Sequence, residues 1–107
     1  MERIDDPSNP QHSGMVTLYH LDDDRFMLTH YCAVNNQPRM RALAYSPESR
    51  TLAFEFLDVT NLQNSVEGHM RGLAFKFLDD DHVTAAWTFQ PKQKEAFTET
   101  FQLTRIR

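Results

Sequence analysis

His30 and Cys32 stand two residues apart in the stretch LTHYCAVNNQPRM, residues 28 to 40, with Arg39 and Arg41 following at once. On an extended chain residues i and i+2 share a face, so imidazole and thiol would lie side by side. Zinc uses both groups, but a zinc site takes three or four ligands. His20, His69 and His82 are the candidates for a third ligand, no second cysteine exists and no His-x-x-x-His spacing occurs. A metal site is not expected. The repeats Asp22-Asp23-Asp24 and Asp79-Asp80-Asp81 lack the alternating ligands, glycine and distal glutamate of a calcium loop, and are read as solvated hairpin turns. A nucleophilic Cys32 would need a positioned base and a third orienting group, commonly at a helix N-terminus, and the chain offers no helical stretch. Haem ligation by His20, His30 or His69 has no local sequence to single one of them out. No cofactor and no catalytic residue are therefore assigned.

The elements that must position these groups are short runs of β-branched and aromatic residues, with no amphipathic run of helical period beyond two turns. Strands are expected over 15–21, 25–34, 39–46, 51–59, 69–79, 82–90 and 95–107. Most links are short enough for antiparallel hairpins, so the simplest topology is an up-and-down meander. The opening MERI and the following DDPSNPQHSG read as a partial strand and loop over 1–13 of a single domain spanning 1–107. An open meander exposes two sheet edges, a liability that closure or a partner removes.

Alternation assigns the faces. Leu52, Phe54 and Phe56 point inward, as do Leu73, Phe75 and Phe77, then Val83, Ala85, Trp87 and Phe89, then Phe97, Phe101 and Leu103. In 25–34 the more apolar set is Phe26, Leu28, His30 and Cys32, which turns His30 inward. His69, Arg71 and Glu99 share the inward phase, with Asp58 at a strand end. Buried polar groups need partners, since each unpaired one costs about 1–3 kcal/mol. Three outcomes follow: a satisfied core pair of His30 with Glu99, a ligand pocket, or the same pair acting as acid and base in an enzyme. His30, Trp87, Arg41, His69 and Arg71 are the expected ligand-binding residues, Arg39 or Arg41 meeting an acidic ligand group at the barrel mouth.

Composition narrows the partners. With 11 basic and 15 acidic side chains among 107 residues, the net charge of -4 provides no cationic surplus for a phosphate backbone, and nucleic acid is not expected. No apolar run reaches the length of a membrane span, and MERIDDPSNPQHSG has no signal-like character. A lone cysteine suits a reducing compartment, so a cytoplasmic, membrane-free protein is expected.

Read in order, LTHYC (28–32), NQPRM (36–40), FEFLD and TNL (54–62), GHM (68–70), DDDH (79–82), WTF (87–89) and FTETFQLTRIR (97–107) resemble an uncharacterised bacterial family of lipocalin-like, calycin-type β-barrels. The resemblance runs over nearly the whole chain from Met15. It implies a barrel with an internal cavity for a small hydrophobic or amphipathic molecule, and it carries no residue role. The family's N-terminal strands, with their Gly-x-Trp opening, have no counterpart here, and MERI would match the strand after them. The expected architecture is thus a barrel or incomplete barrel. A homodimer joined through the open sheet edges is the expected assembly; the alternative to a ligand-binding barrel is a filled one whose role is self-association.

Overall fold

The computed structural model describes residues 2–4, 14–32, 35–62, 68–92 and 94–106, the first three as backbone only. The strands are β1 (Glu2–Ile4), β2 (Met15–Asp22), β3 (Arg25–Tyr31), β4 (Gln37–Ala42), β5 (Thr51–Thr60), β6 (His69–Phe77), β7 (His82–Gln90) and β8 (Phe97–Thr104). They form one antiparallel sheet in chain order, and β1 and β8 stand at opposite ends of it. This is the expected all-β meander, with MERI supplying a short first strand. The loop expected before Met15 lies almost wholly outside the described residues, as do Ala33 and Val34, the expected end of the second long strand. Among the described residues no helix is long and apolar enough to cross a membrane.

The turns follow from the acidic repeats. Asp23 takes a left-handed φ of 58° between the paired residues Asp22 and Arg25, a conformation that aspartate tolerates better than most residues. In the second repeat the Asp79 carboxylate accepts the Asp81 amide at 2.8 Å and lies 2.8 Å from His82 Nδ1. These bonds hold the Asp79 carboxyl below its ordinary range.

The sheet curls. Neighbouring strands lie about 4.8 Å apart, so β3 and β7 would be about 19 Å apart in a flat sheet. Instead the His30 and Trp87 rings approach to 4.6 Å between centroids, and Tyr19 of β2 reaches Phe75 of β6 at 6.1 Å. The result is a half-barrel, whose concave face packs Met15, Leu28, Met40, Phe54, Met70, Leu73, Ala85 and Trp87 into one core. Removal of this apolar surface from water is the main force that holds the curl.

Several strand details depart from expectation: the strands expected over 69–79 and 95–107 are His69–Phe77 and Phe97–Thr104. The third long strand begins at Gln37 and ends at Ala42 rather than running 39–46. Pro38 fits inside it because the register with β3 starts only at Arg39, so the missing amide takes nothing from that ladder. The register shifts between Arg39 and Met40 against β5, making Leu57 the extra residue, and between Met70 and Gly72 against β7, making Arg71 the extra residue. Each is a β-bulge, which resets the inward and outward phase beyond it.

Candidate functional site

His30 sits on the concave face of β3, opposite Thr17 of β2, a pairing dictated by the tight Asp22–Arg25 hairpin. Its ring is 0% exposed, and Nδ1 lies 2.9 Å from the buried Thr17 hydroxyl. Desolvation pulls its pKa down to about 4, so the ring is neutral at pH 7. A Thr17 hydroxyl donating into Nδ1 satisfies its own buried proton and leaves the ring's single proton on Nε2. Nε2 and the neighbouring Trp87 indole nitrogen, both buried, have no hydrogen-bond partner, and neither does Asn36 Oδ1.

Glu99 lies opposite Trp87 in register and is half-buried, as its phase predicts. The expected bond between His30 and Glu99 does not form: the imidazole is bonded to Thr17 through one nitrogen and to nothing through the other. The acid-base pair therefore lacks its defining contact.

The other expected site residues are dispersed. Trp87 joins His30. Arg41 follows the fully buried Met40, so it faces the convex side, and its Nε donates to Glu55 Oε1 at 2.5 Å. Arg39 likewise forms a two-pronged pair with Asp58, its Nε reaching Oδ1 at 2.7 Å. Asp58 is thereby removed from the inward set, and its carboxyl is lowered by the hydrogen bonds from Arg39. Arg71, expected inward, is the bulge residue; it is exposed and donates to Gln90 Oε1 at 3.0 Å. His69 stacks on Phe56 at 5.0 Å. Cys32 is a half-buried thiol packed against the core. Among the described residues no three His, Cys, Asp or Glu side chains converge on a metal position.

The concave face has two unlike ends. Near the β3–β4 connection Asn36 fills it: the residue is fully buried and donates from Nδ2 to Gly68 O at 2.8 Å, while its backbone carbonyl accepts the Cys32 amide at 3.0 Å. Near the β2–β3 and β6–β7 turns it is open. There Tyr19, Phe26, Phe54, Phe75 and Phe77 form a connected chain of rings with centroids 5.7 to 6.4 Å apart. Phe26 and Phe77 remain 38% and 37% exposed.

Phe77 also belongs to a depression of about 380 Å³ that Val83 and Leu103 line together with Arg50, Arg105, His82 and the three carboxylates Asp79, Asp80 and Asp81. None of His30, Arg41, His69, Arg71 or Trp87 lines it. Arg50 is fixed at the rim by a bond from its guanidinium to Leu78 O at 3.1 Å, although its own backbone sits at a left-handed φ of 56°. Sequence reasoning missed Arg50, Thr17 and Asn36. A signal existed for Thr17, because a two-residue Asp23-Asp24 turn sets it across from His30.

Compared with known proteins, the chain matches no family model, no curated protein and no solved structure.

Proposed function

We propose that the chain is a lipocalin-like half-barrel that binds a small amphipathic molecule at the open end of its concave face. The observation that carries this reading is the run of linked rings whose terminal members Phe26 and Phe77 stay exposed at one end of the concave face, while Asn36 is fully buried at the other. Soluble domains rarely leave such a surface uncovered without use. The adjoining depression falls in the volume range of small-molecule sites, and a few charged groups beside an apolar floor are what orient a ligand there. The apolar part lies on Phe77 and its neighbours, and a polar head meets the mixed rim of Arg50, Arg105 and the Asp79–Asp81 carboxylates. His30 and Trp87 belong to the packed core and do not line the depression.

The test uses 1-anilinonaphthalene-8-sulfonate, an aromatic anion whose emission rises in apolar surroundings. Saturable binding to the folded chain is expected, with a rise in melting temperature. Losing one well-buried aromatic contact is worth about 1.5–3 kcal/mol, so Phe77→Ser weakens the dye about tenfold or more. Phe97→Ser, at an exposed ring beside Phe89 far from the depression, leaves the affinity nearly unchanged. Equal effects of the two substitutions, or dye binding without a thermal shift, would sink the proposal.

A further inference from the structure

We infer that the free side of β8 is the seam of a two-fold dimer, in which β8 pairs antiparallel with β8 of a second copy so that the two half-barrels share one continuous sheet. This goes beyond the ligand reading and does not depend on it.

The edge itself is the first observation. β8 pairs with β7 without a break from Phe97 opposite Phe89 to Thr104 opposite His82. Protected edges carry prolines, lysines, bulges, inward-pointing charges or very short strands; β8 has eight residues and, of these devices, only the inward-phase carboxylate of Glu99. β1, at the other end of the sheet, has three residues.

The ladder also says which backbone groups of β8 no described strand takes. The Arg105 amide donates to Asp81 O at 2.7 Å, one step beyond the Thr104–His82 pair. In an antiparallel ladder, alternate residues turn both polar groups to the same neighbour. Leu103, Phe101, Glu99 and Phe97 therefore bond toward β7, as Arg105 does. Thr98, Thr100, Gln102 and Thr104 present amide and carbonyl to the open side. A two-fold axis through Gln102 puts Gln102 opposite itself and Thr100 opposite Thr104, and these are the residues whose backbone groups no described strand takes.

Among axes through Thr100, Phe101 and Gln102, charge favours the last. With Gln102 on the axis, Phe101 meets Leu103 and Glu99 meets Arg105 of the second copy, twice by symmetry. Both pairs fall at the non-hydrogen-bonded positions, where opposed side chains are closest. An axis through Phe101 would set Glu99 against Leu103, and an axis through Thr100 would set it against Phe101, each opposing a carboxylate to an apolar side chain. A carboxylate accepts several donors, so the pair with Arg105 is compatible with other bonds to Glu99. Isologous pairing of this kind closes after two copies.

Sedimentation velocity across the micromolar range is the test. The unmodified chain is expected at the mass of two copies. Glu99→Lys replaces both cross-seam attractions with repulsions and raises the dimer dissociation constant about tenfold or more. Combining it with Arg105→Glu reverses both charges and restores the original value. Gln102→Pro removes an outward amide without touching the β7 ladder, and is expected to give a monomer with an unchanged circular dichroism spectrum. A wild-type monomer throughout, species growing beyond two copies, or a double variant as weak as Glu99→Lys alone would each overturn the inference.

Discussion

At the scale of single residues, His30 couples the fold to pH. Its folded pKa of about 4 lies below the ordinary 6.5, so between those values the unfolded chain binds the proton more readily and folding opposes protonation. Stability from this group is complete above pH 6.5 and is lost as the pH falls to about 4. With each unit worth about 1.4 kcal/mol, the loss is about 3 kcal/mol. Urea unfolding over this range should show it in the wild type, and His30→Phe, which cannot titrate, should lose that much less. Thr17→Val leaves Nδ1 buried without a partner and is expected to cost about 1–3 kcal/mol at pH 7. If its unfolding midpoint is unchanged, the Thr17 bond contributes nothing. The inward turn of His30 is legible in the sequence because Leu28 and Cys32 share its phase. Phase alone points to Glu99 as its partner, a charged residue on the same face, whereas the nearer group is the hydroxyl directly across the hairpin. A hydroxyl satisfies Nδ1 of the neutral imidazole without the cost of burying a carboxylate beside it, and Nε2 stays without a partner.

Elements are legible wherever alternation runs unbroken, as it does through Phe97–Thr104 against His82–Gln90. Alternation fails at the bulges. Arg71 falls in phase with Leu73, Phe75 and Phe77, and only an extra residue in the ladder moves it outward. Gly72 beside it is the available sign, since an isolated glycine in a strand often marks a bulge. The two glycines around β6 make a paired prediction. A Cβ at Gly68 would lie 2.8 Å from Phe89 Cζ and 3.1 Å from Cε1, whereas at Gly72 its nearest neighbour is Thr88 Cβ at 3.4 Å. Gly68→Ala must displace the Phe89 ring and is expected to destabilise by about 1–2 kcal/mol. Gly72→Ala gains from a stiffer unfolded chain what it loses in close packing, and should fall within about 0.5 kcal/mol of wild type. Comparable unfolding midpoints for the two variants would contradict the close approach of Gly68 to Phe89.

For the whole molecule, the order of the strands is readable from hairpin-length links, but the curl is not, because no local pattern states which distant strands meet. The radius of gyration of 14.0 Å exceeds the roughly 13 Å of a compact domain of this length, as an open half-barrel requires. What closes the curve is contact across the concave face, above all Trp87 of β7 on His30 of β3. Trp87 is 1% exposed, whereas Leu18 on the convex side of β2 is 41% exposed. Trp87→Ala therefore removes the bridge between strands that the ladder does not join, and is expected to cost about 3–5 kcal/mol, a large share of the roughly 5–15 kcal/mol typical of a domain. Leu18→Ala, with ladder and curl intact, should stay within about 0.5 kcal/mol. Urea midpoints for the pair decide the matter. If Trp87→Ala unfolds no earlier than Leu18→Ala, the ladder alone holds the shape; if it unfolds far earlier, the half-barrel is held by its filled floor, leaving the exposed rings at the open end available to a ligand.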